Sequence, residues 1–384
     1  MNWLYWLVAL FAFTLWASRT YNLFMGWRRL PGLDEIEADG PGALPSLTVV
    51  VPALNEEESV EGAMRSLLAI EYAELQIIAV NDRSTDRTGE ILDSLAVKSP
   101  RLRVVHVREL PTGWLGKNHA MHLASLKATG VWILFTDADI HFEPTALRRA
   151  LRYAVENSLD HLVVLPESEV VGFWEKLFIG FFWVMFAFRQ RTWKIRDPRS
   201  SAHIGVGAFN LVRVEAYRRA GGHAAMPLEV LDDVKLGKLM KRSGARQDCL
   251  PSGGMVRVRW VVGLGGAVTG LTKNVYAALA YSPLRVFLAS LMILAGITWP
   301  ALGLFFGPTG ARLLCAAAVF CMVVSLKCAI QTPGLSAIYG LGFPLASVIF
   351  VYILCRSMIT TLVQGGVVWR GTLYPLRDLK KGLI

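Results

Sequence analysis

Three apolar stretches, Leu284–Phe306, Leu313–Ile330 and Phe343–Val368, limit what this chain can fold into more than any other feature. Each is long enough, or nearly so, to cross a hydrocarbon core of ~30 Å as a helix. Lipid offers no hydrogen-bond partner, so a spanning segment must satisfy its own backbone, and helices are expected there. Gly307-Pro308 and Pro333-Gly334 punctuate the three. The composition agrees: 53% hydrophobic with 18% charged residues is too apolar for an ordinary soluble enzyme. If all three cross, the tail after Val368 lies outside, whereas Arg370, Arg377, Lys380 and Lys381 argue for inside by the positive-inside rule. A re-entrant or flat segment among the three would reconcile these, and the sequence leaves open which one. Lys327 and Arg356 inside the stretches are functional candidates or snorkel towards head groups.

The N-terminus adds a further apolar run, Trp3 to Trp16 and onwards to Trp27, with Arg19, Arg28 and Arg29 behind it. A secretory signal carries its charge ahead of the apolar core, so residues 1–29 read as an uncleaved anchor with the following domain in the cytoplasm. Residues 30–45, rich in Pro, Gly, Asp and Glu, read as a linker. The stretch about 170–188 is aromatic, interrupted by Glu175-Lys176, and followed by Arg189, Arg191, Lys194 and Arg196. It fits an in-plane interfacial helix with a basic flank, or a buried core helix. Residues 263–283 read as an interfacial connection, 284–368 as transmembrane helices and 369–384 as a basic tail. The net charge of +10 flanks apolar segments, which fits anionic lipid and not nucleic acid. Four of five cysteines fall in the apolar stretches without a paired framework, so reduced thiols are expected.

Between these parts, residues 46–262 have a different grammar. Leu47–Ala53, Leu75–Asp82, Leu102–Val107 and Val131–Phe135 are apolar strand-like runs separated by helical patterns, which predicts an α/β domain with a mostly parallel sheet. Ligands of such sheets bind beyond the carboxyl ends of the strands. Asn55, Glu56, Asp82, Asp137 and Asp139 all fall at such ends. Asp137 and Asp139 alternate with Ala138 and so project the same way, and hard oxygen ligands of this kind suit Mg²⁺ or Mn²⁺. An acidic turn after a strand gives the same pattern without a metal. Lys117 follows a Gly113-x-x-Gly116 turn at a helix start, where ammonium and amides could face a diphosphate or a sugar. Asp232-Asp233 opens the helix Val234 to Arg242, where carboxylates are ordinary caps. Arg259 could pair with phosphate oxygens. His119, His122 and His141 show no ligand spacing.

Taken together, Val50–Glu57, Val80–Asp86, Gly113–Asn118, Thr136–Asp139, Gly207–Asn210, Glu229–Gly237 and Trp369–Tyr374 resemble, in order, the family 2 glycosyltransferases of the GT-A type. Among these the chain looks closest to bacterial membrane enzymes that glycosylate lipids, similar to ceramide glucosyltransferase and to hopanoid- or carotenoid-associated enzymes. The resemblance implies a Rossmann-like GT-A domain in the bacterial inner membrane with its active site in the cytoplasm. It also implies inverting transfer of a hexose from a nucleotide sugar, UDP-linked, to a hydroxyl of a ceramide, hopanoid, diacylglycerol or carotenoid type lipid. Pro52, Asn55, Glu56 and Asp82 would surround the nucleoside, and Asp139 with Asp137 would place the divalent ion on the diphosphate. Asp233 would be the general base with Asp232 as its neighbour, and Arg259-Trp260 would close over donor and acceptor. Val256 stands where many members carry Gln ahead of Arg-Trp, which argues against processive polymer synthesis. A polyprenyl-phosphate sugar synthase, or a non-catalytic lipid-binding scaffold on the same fold, are the alternatives.

Overall fold

The computed structural model describes residues 2–27, 30–329 and 332–384. Arg28, Arg29 and Ile330 lie outside the described residues. The chain forms two compact units. A sheet unit comprises Leu30–Ser168, Lys194–Arg259 and Lys381–Ile384, and a helical unit comprises Met1–Arg29, Glu169–Trp193 and Trp260–Lys380. The stretch about 170–188 and Trp260 therefore belong with the helical unit and not with the sheet.

The sheet unit is built on seven strands: β1 (Leu47–Ala53), β2 (Leu75–Asp82), β3 (Leu102–Val107), β4 (Trp132–Phe135), β5 (His161–Leu165), β6 (Asn210–Arg213) and β7 (Gln247–Pro251). Their order is β3-β2-β1-β4-β6-β5-β7. All neighbours are parallel except at β6, which runs antiparallel to both β4 and β5. An α/β sheet of this mostly parallel kind is what the sequence predicted. β1 is central because its side chains are apolar on both faces: Val49 and Val51 join one core, Val50 the other. Helices Val60–Leu68 and Ala146–Glu156 cover the first face, while Gly116–Lys127 and Asp232–Arg242 cover the second. Pro52, which cannot donate to a ladder, pairs only with β2, because β4 ends against Val50.

Residues 30–45 are more than a tether. Leu33 is fully buried in the first core, and Arg149 Nη1 donates to the Asp34 carbonyl at 2.8 Å. A single apolar anchor has no periodicity, so pattern reading passes over it.

The helical unit contains α1 (Asn2–Trp27), α2 (Phe173–Gln190), α3 (Pro283–Gly303), α4 (Thr309–Ala329) and α5 (Phe343–Val363). Among the described residues three helices are long and apolar enough to cross a membrane: α3, α4 and Ala337–Val363, which contains α5. α1 is not among them. α3 is interrupted by a π turn at Leu294–Thr298, just ahead of Pro300. Glu175, which looked like an interruption of α2, is buried and accepts the amides of Val171 at 2.9 Å and Gly263 at 2.7 Å. It satisfies helix-start donors that apolar surroundings would leave unpaired.

Candidate active site

Carboxylates from two distant parts of the sequence meet on one lysine. β4 delivers Asp137 to its end, where the Asp137 amide donates to the Gly207 carbonyl at 3.0 Å. Helix Gly116–Lys127 delivers Lys117, whose Nζ lies 2.6 Å from Asp137 Oδ1 and 3.3 Å from Asp232 Oδ2. Burial alone would lower the basicity of Lys117, but the charges of Asp137, Asp232 and Asp233 outweigh it and hold the ammonium above its ordinary value.

Asp232 and Asp233 open their helix, as read from the sequence, but neither is a solvated cap. Asp232 is 6% exposed. Asp233 Oδ2 accepts the Gly207 amide at 2.9 Å and Oδ1 the Val234 amide at 2.7 Å. Burial, then the charge of Asp232, pushes the Asp233 carboxyl up to about 7. Glycines make this approach feasible. A Cβ on Gly205 would sit 1.7 Å from the Asp233 carbonyl oxygen, and one on Gly207 would sit 2.4 Å from Asp137 Oδ2. Asn118 Nδ2 donates to the carbonyls of Met226 at 2.8 Å and Glu229 at 2.9 Å, which fixes the loop leading to Asp232.

Asp139 is pushed up to about 7 as well, by burial first and then by the charges of Asp137 and Glu56. Glu56 Oε2 accepts the Ser59 hydroxyl at 3.1 Å. Asn55 sits in the left-handed region, φ 54°, and its side-chain oxygen accepts the Thr85 amide at 2.8 Å. It thus laces the β1 loop to the β2 loop. Asp82 is 2% exposed and gripped at both oxygens by Arg83, at 2.8 and 3.0 Å. Gly116 presses on that pair, since a Cβ there would lie 2.3 Å from Asp82 Oδ2.

The structure thus brings Lys117, Asp137, Asp232 and Asp233 together, with Glu56 near enough to Asp139 for its charge to add to the rise of the Asp139 carboxyl. Trp260 belongs to the helical unit, with its ring 4.6 Å from Phe182. Arg259 is an exposed residue at the end of the sheet unit, and the nearby Arg257 pairs with Glu143 at 2.6 Å. Sequence reading missed His223, and it named Asn210 only as part of the Gly207–Asn210 motif, without a role. Both line a cavity of about 10 Å³ with Lys117, Asp137, Asp232 and Asp233. That is about one water in size. His223 is buried, its Nδ1 lies 2.7 Å from Tyr217 Oη, and burial followed by the Lys117 charge lowers it to about 3. A lone histidine after Gly221-Gly222 carries no spacing signal.

Residues 48–221 match the family model described as Glycosyl transferase family 2. The chain is 32% identical over 117 residues to the uncharacterized glycosyltransferase EpsJ of Bacillus subtilis, covering 30% of this chain and 33% of that protein. It is 27% identical over 195 residues to 4,4'-diaponeurosporenoate glycosyltransferase of Staphylococcus aureus, covering 50% of each. The chain thus spans a third to a half of the length of the curated relatives it matches. A solved structure, the mannosyltransferase PcManGT from Pyrobaculum calidifontis in complex with GDP-Man and Mn²⁺, aligns with a TM-score of 0.49 at 17% identity, over 98% of this chain and 95% of that one. The strands and loops that assemble the acidic site fall within or beside the matched segment, so it is the site-bearing part of the sheet unit that is similar to the family 2 glycosyltransferases.

Proposed function

We propose that the protein is an inverting glycosyltransferase that moves a hexose from a nucleotide sugar, UDP-linked, to a hydroxyl of a membrane lipid. The observation that carries the reading is the single acidic site in which Lys117 joins Asp137 to Asp232, leaving Asp139 and Asp233 as desolvated carboxyls beside it. The name of the Staphylococcus aureus relative supports a lipid acceptor of carotenoid type, and ceramide, hopanoid and diacylglycerol belong to the same chemical range. The apolar helices support a location in a bacterial inner membrane, with the sheet unit in the cytoplasm.

Asp139, with Asp137, is the pair that would hold Mg²⁺ or Mn²⁺. The crowding of Asp137, Asp139 and Glu56 is relieved by a cation, and these ions bind through one or two carboxylates plus substrate phosphates. Such an ion neutralises charge on a leaving diphosphate. Lys117 supplies a second cation at a helix N-terminus, suited to the same diphosphate or to a sugar hydroxyl. Pro52, Asn55, Glu56 and Asp82 shape the loops that would receive the nucleoside. Asp233 would accept the proton of the acceptor hydroxyl as its oxygen attacks the anomeric carbon from the face opposite the diphosphate, and one such displacement inverts that centre. A carboxyl raised to about 7 is well matched to proton transfer near neutrality. Arg259 and Trp260 are proposed as a closing pair over donor and acceptor.

The test is donor turnover by the protein in detergent with Mn²⁺ or Mg²⁺, a panel of nucleotide sugars and total bacterial lipid. Lipid-dependent release of UDP that disappears in Asp139→Ala and Asp233→Ala supports the reading. No metal-dependent turnover with any donor would overturn it in favour of a lipid-binding scaffold.

A further inference from the structure

Which apolar segments cross the bilayer can be read from the pairing of the helices within the helical unit. α1 ends just before Leu30, where the chain passes to the sheet unit, so its C-terminal end marks one side, here the near side. α4 runs parallel to α1. Trp6 lies against Gly310, Ala9 clusters with Cys315, and Thr20 Oγ1 is 2.7 Å from Ser325 Oγ. α3 runs antiparallel to α1, with the Tyr5 ring 5.6 Å from Trp299 and Trp16 Nε1 donating to the Gly296 carbonyl at 2.9 Å. The chain therefore descends through α3 to the far side at Phe306 and returns through α4.

After α4 the chain does not descend again to the far side. The turn Ala337–Gly342 doubles back along α4, where a Cβ on Gly340 would lie 2.7 Å from Val323 Cα. Phe343 reaches the ring of Trp16 at 6.2 Å, about half-way along α1, and Ser347 Oγ meets Thr298 Oγ1 at 2.7 Å. From this mid-depth α5 climbs. Ser357 Oγ accepts the Tyr276 amide at 3.2 Å and donates to the Thr272 carbonyl. Both partners lie in the segment joining Arg259 to the start of α3, on the near side. Beyond α5 the chain reaches Lys381, again in the sheet unit.

We infer that the bilayer is crossed three times, by α1, α3 and α4, and that residues 332–363 form a re-entrant segment that enters and leaves the leaflet on the near side. Ala337–Val363, the most apolar of the three candidates, does not span. Length and apolarity license a span without requiring one. The count is even between Arg259 and Lys381, as it must be for a chain that leaves and rejoins one unit. It also removes the conflict over the tail. Lys273, Arg285, Lys327, Arg370, Arg377 and Lys380 fall on the near side, and among the described residues Arg312 is the one basic residue towards the far side. α2 has the same character, since residues of the sheet unit flank it at both ends. The exposed Leu345, Val348, Ile359 and Leu362 of α5 then face acyl chains.

The inference rests on the helical unit being embedded in a bilayer and not on the transfer reaction, so donor turnover can fail without touching it. Single cysteines at Val97, Phe306, Pro333 and Arg377 can be labelled with a membrane-impermeant maleimide in sealed vesicles of either orientation, with the unsubstituted protein giving the background. Val97→Cys, Pro333→Cys and Arg377→Cys are expected to react in the same vesicle orientation and to lose most of their label in the other, with Phe306→Cys showing the reverse. Pro333→Cys and Arg377→Cys reacting from opposite faces would overturn the proposal, since α5 would then span. Phe306→Cys reacting with the other three would overturn it equally.

Discussion

Asp137-x-Asp139 at the end of β4 and Asp232-Asp233 at the start of a helix reach the same solution by different routes. In each pair the first carboxylate is a partner of Lys117, at 2.6 Å and 3.3 Å. In each pair the second is driven up to about 7 by burial and by its neighbour's charge. One ammonium thus sorts four carboxylates into two that are charge-paired and two that are held close to neutrality. The lesson is that chemical role follows from which member of a pair the cation takes, and a pair of adjacent aspartates in a sequence does not reveal it.

The strongest way to break this parallel is to neutralise the second members one at a time. Asp233→Asn is expected to lower kcat by ~10²–10⁴, the usual share of a general base, with little change in donor KM. Asp139→Asn should instead raise donor KM and the metal concentration needed for half-maximal turnover. Steady-state kinetics with varied donor and Mn²⁺ separates the two outcomes, and identical profiles would refute the division of roles. Retention of most turnover in Asp233→Asn would point to an acceptor that is already anionic, such as a polyprenyl phosphate.

Lys117→Met strikes both pairs together. Removing one partner of a fully buried ion pair costs ~3–5 kcal/mol, and the partial exposure of Lys117 and Asp137 makes the expected loss smaller than that. Because the stranded carboxylates can take up protons, the fall in melting temperature should be larger at pH 8 than at pH 5.5. Equal falls at both would assign Lys117 to packing alone.

The pH dependence of the unsubstituted protein sharpens the second pair further. Asp233 has a folded value of about 7 against 3.8 when unfolded, so the folded state binds the extra proton between these values. This group's contribution to stability should therefore be largest below about 4, decline as pH rises to about 7, and stay flat above. Melting curves across that range should lose the decline in Asp233→Asn. As a base, the same group should make kcat/KM rise through pH 7.

Much of the sheet unit was legible because its signals are local. Apolar runs ending in carboxylates mark β1, β2 and β4, and ligands gather at such ends whatever the loops do. The meeting of Lys117 with Asp232 was not legible, since it depends on Asn118 holding the loop at 226–229 across 108 residues of sequence or more. Arg83 stood inside a recognised motif, yet its grip on Asp82 needs a positive φ of 61° that sequence does not announce. The helical unit shows the opposite weakness. Apolarity identified its segments, but α5 is more apolar than the helices inferred to cross, and it is the partners on α1, α3, α4 and the segment at Thr272–Tyr276 that indicate how it runs.

The smallest expected effects separate the two glycines ahead of Lys117. Gly113 has φ +86° and nothing within 4 Å of an added Cβ. Gly113→Ala should therefore cost only the strain of a left-handed alanine, ~1–2 kcal/mol, and leave donor KM unchanged. At Gly116 an added Cβ would stand 2.3 Å from Asp82 Oδ2 and 2.5 Å from Arg83 Nη2. The Asp82 side chain is 3% exposed and cannot give way freely, so the helix start carrying Lys117 must shift. Gly116→Ala is thus expected to raise donor KM several-fold and to lower kcat as well, because one displaced ammonium disturbs both acidic pairs. A change in KM alone would mean that Lys117 keeps its hold on Asp232 when its hold on Asp137 loosens, and the two pairs would then be independent devices and not one.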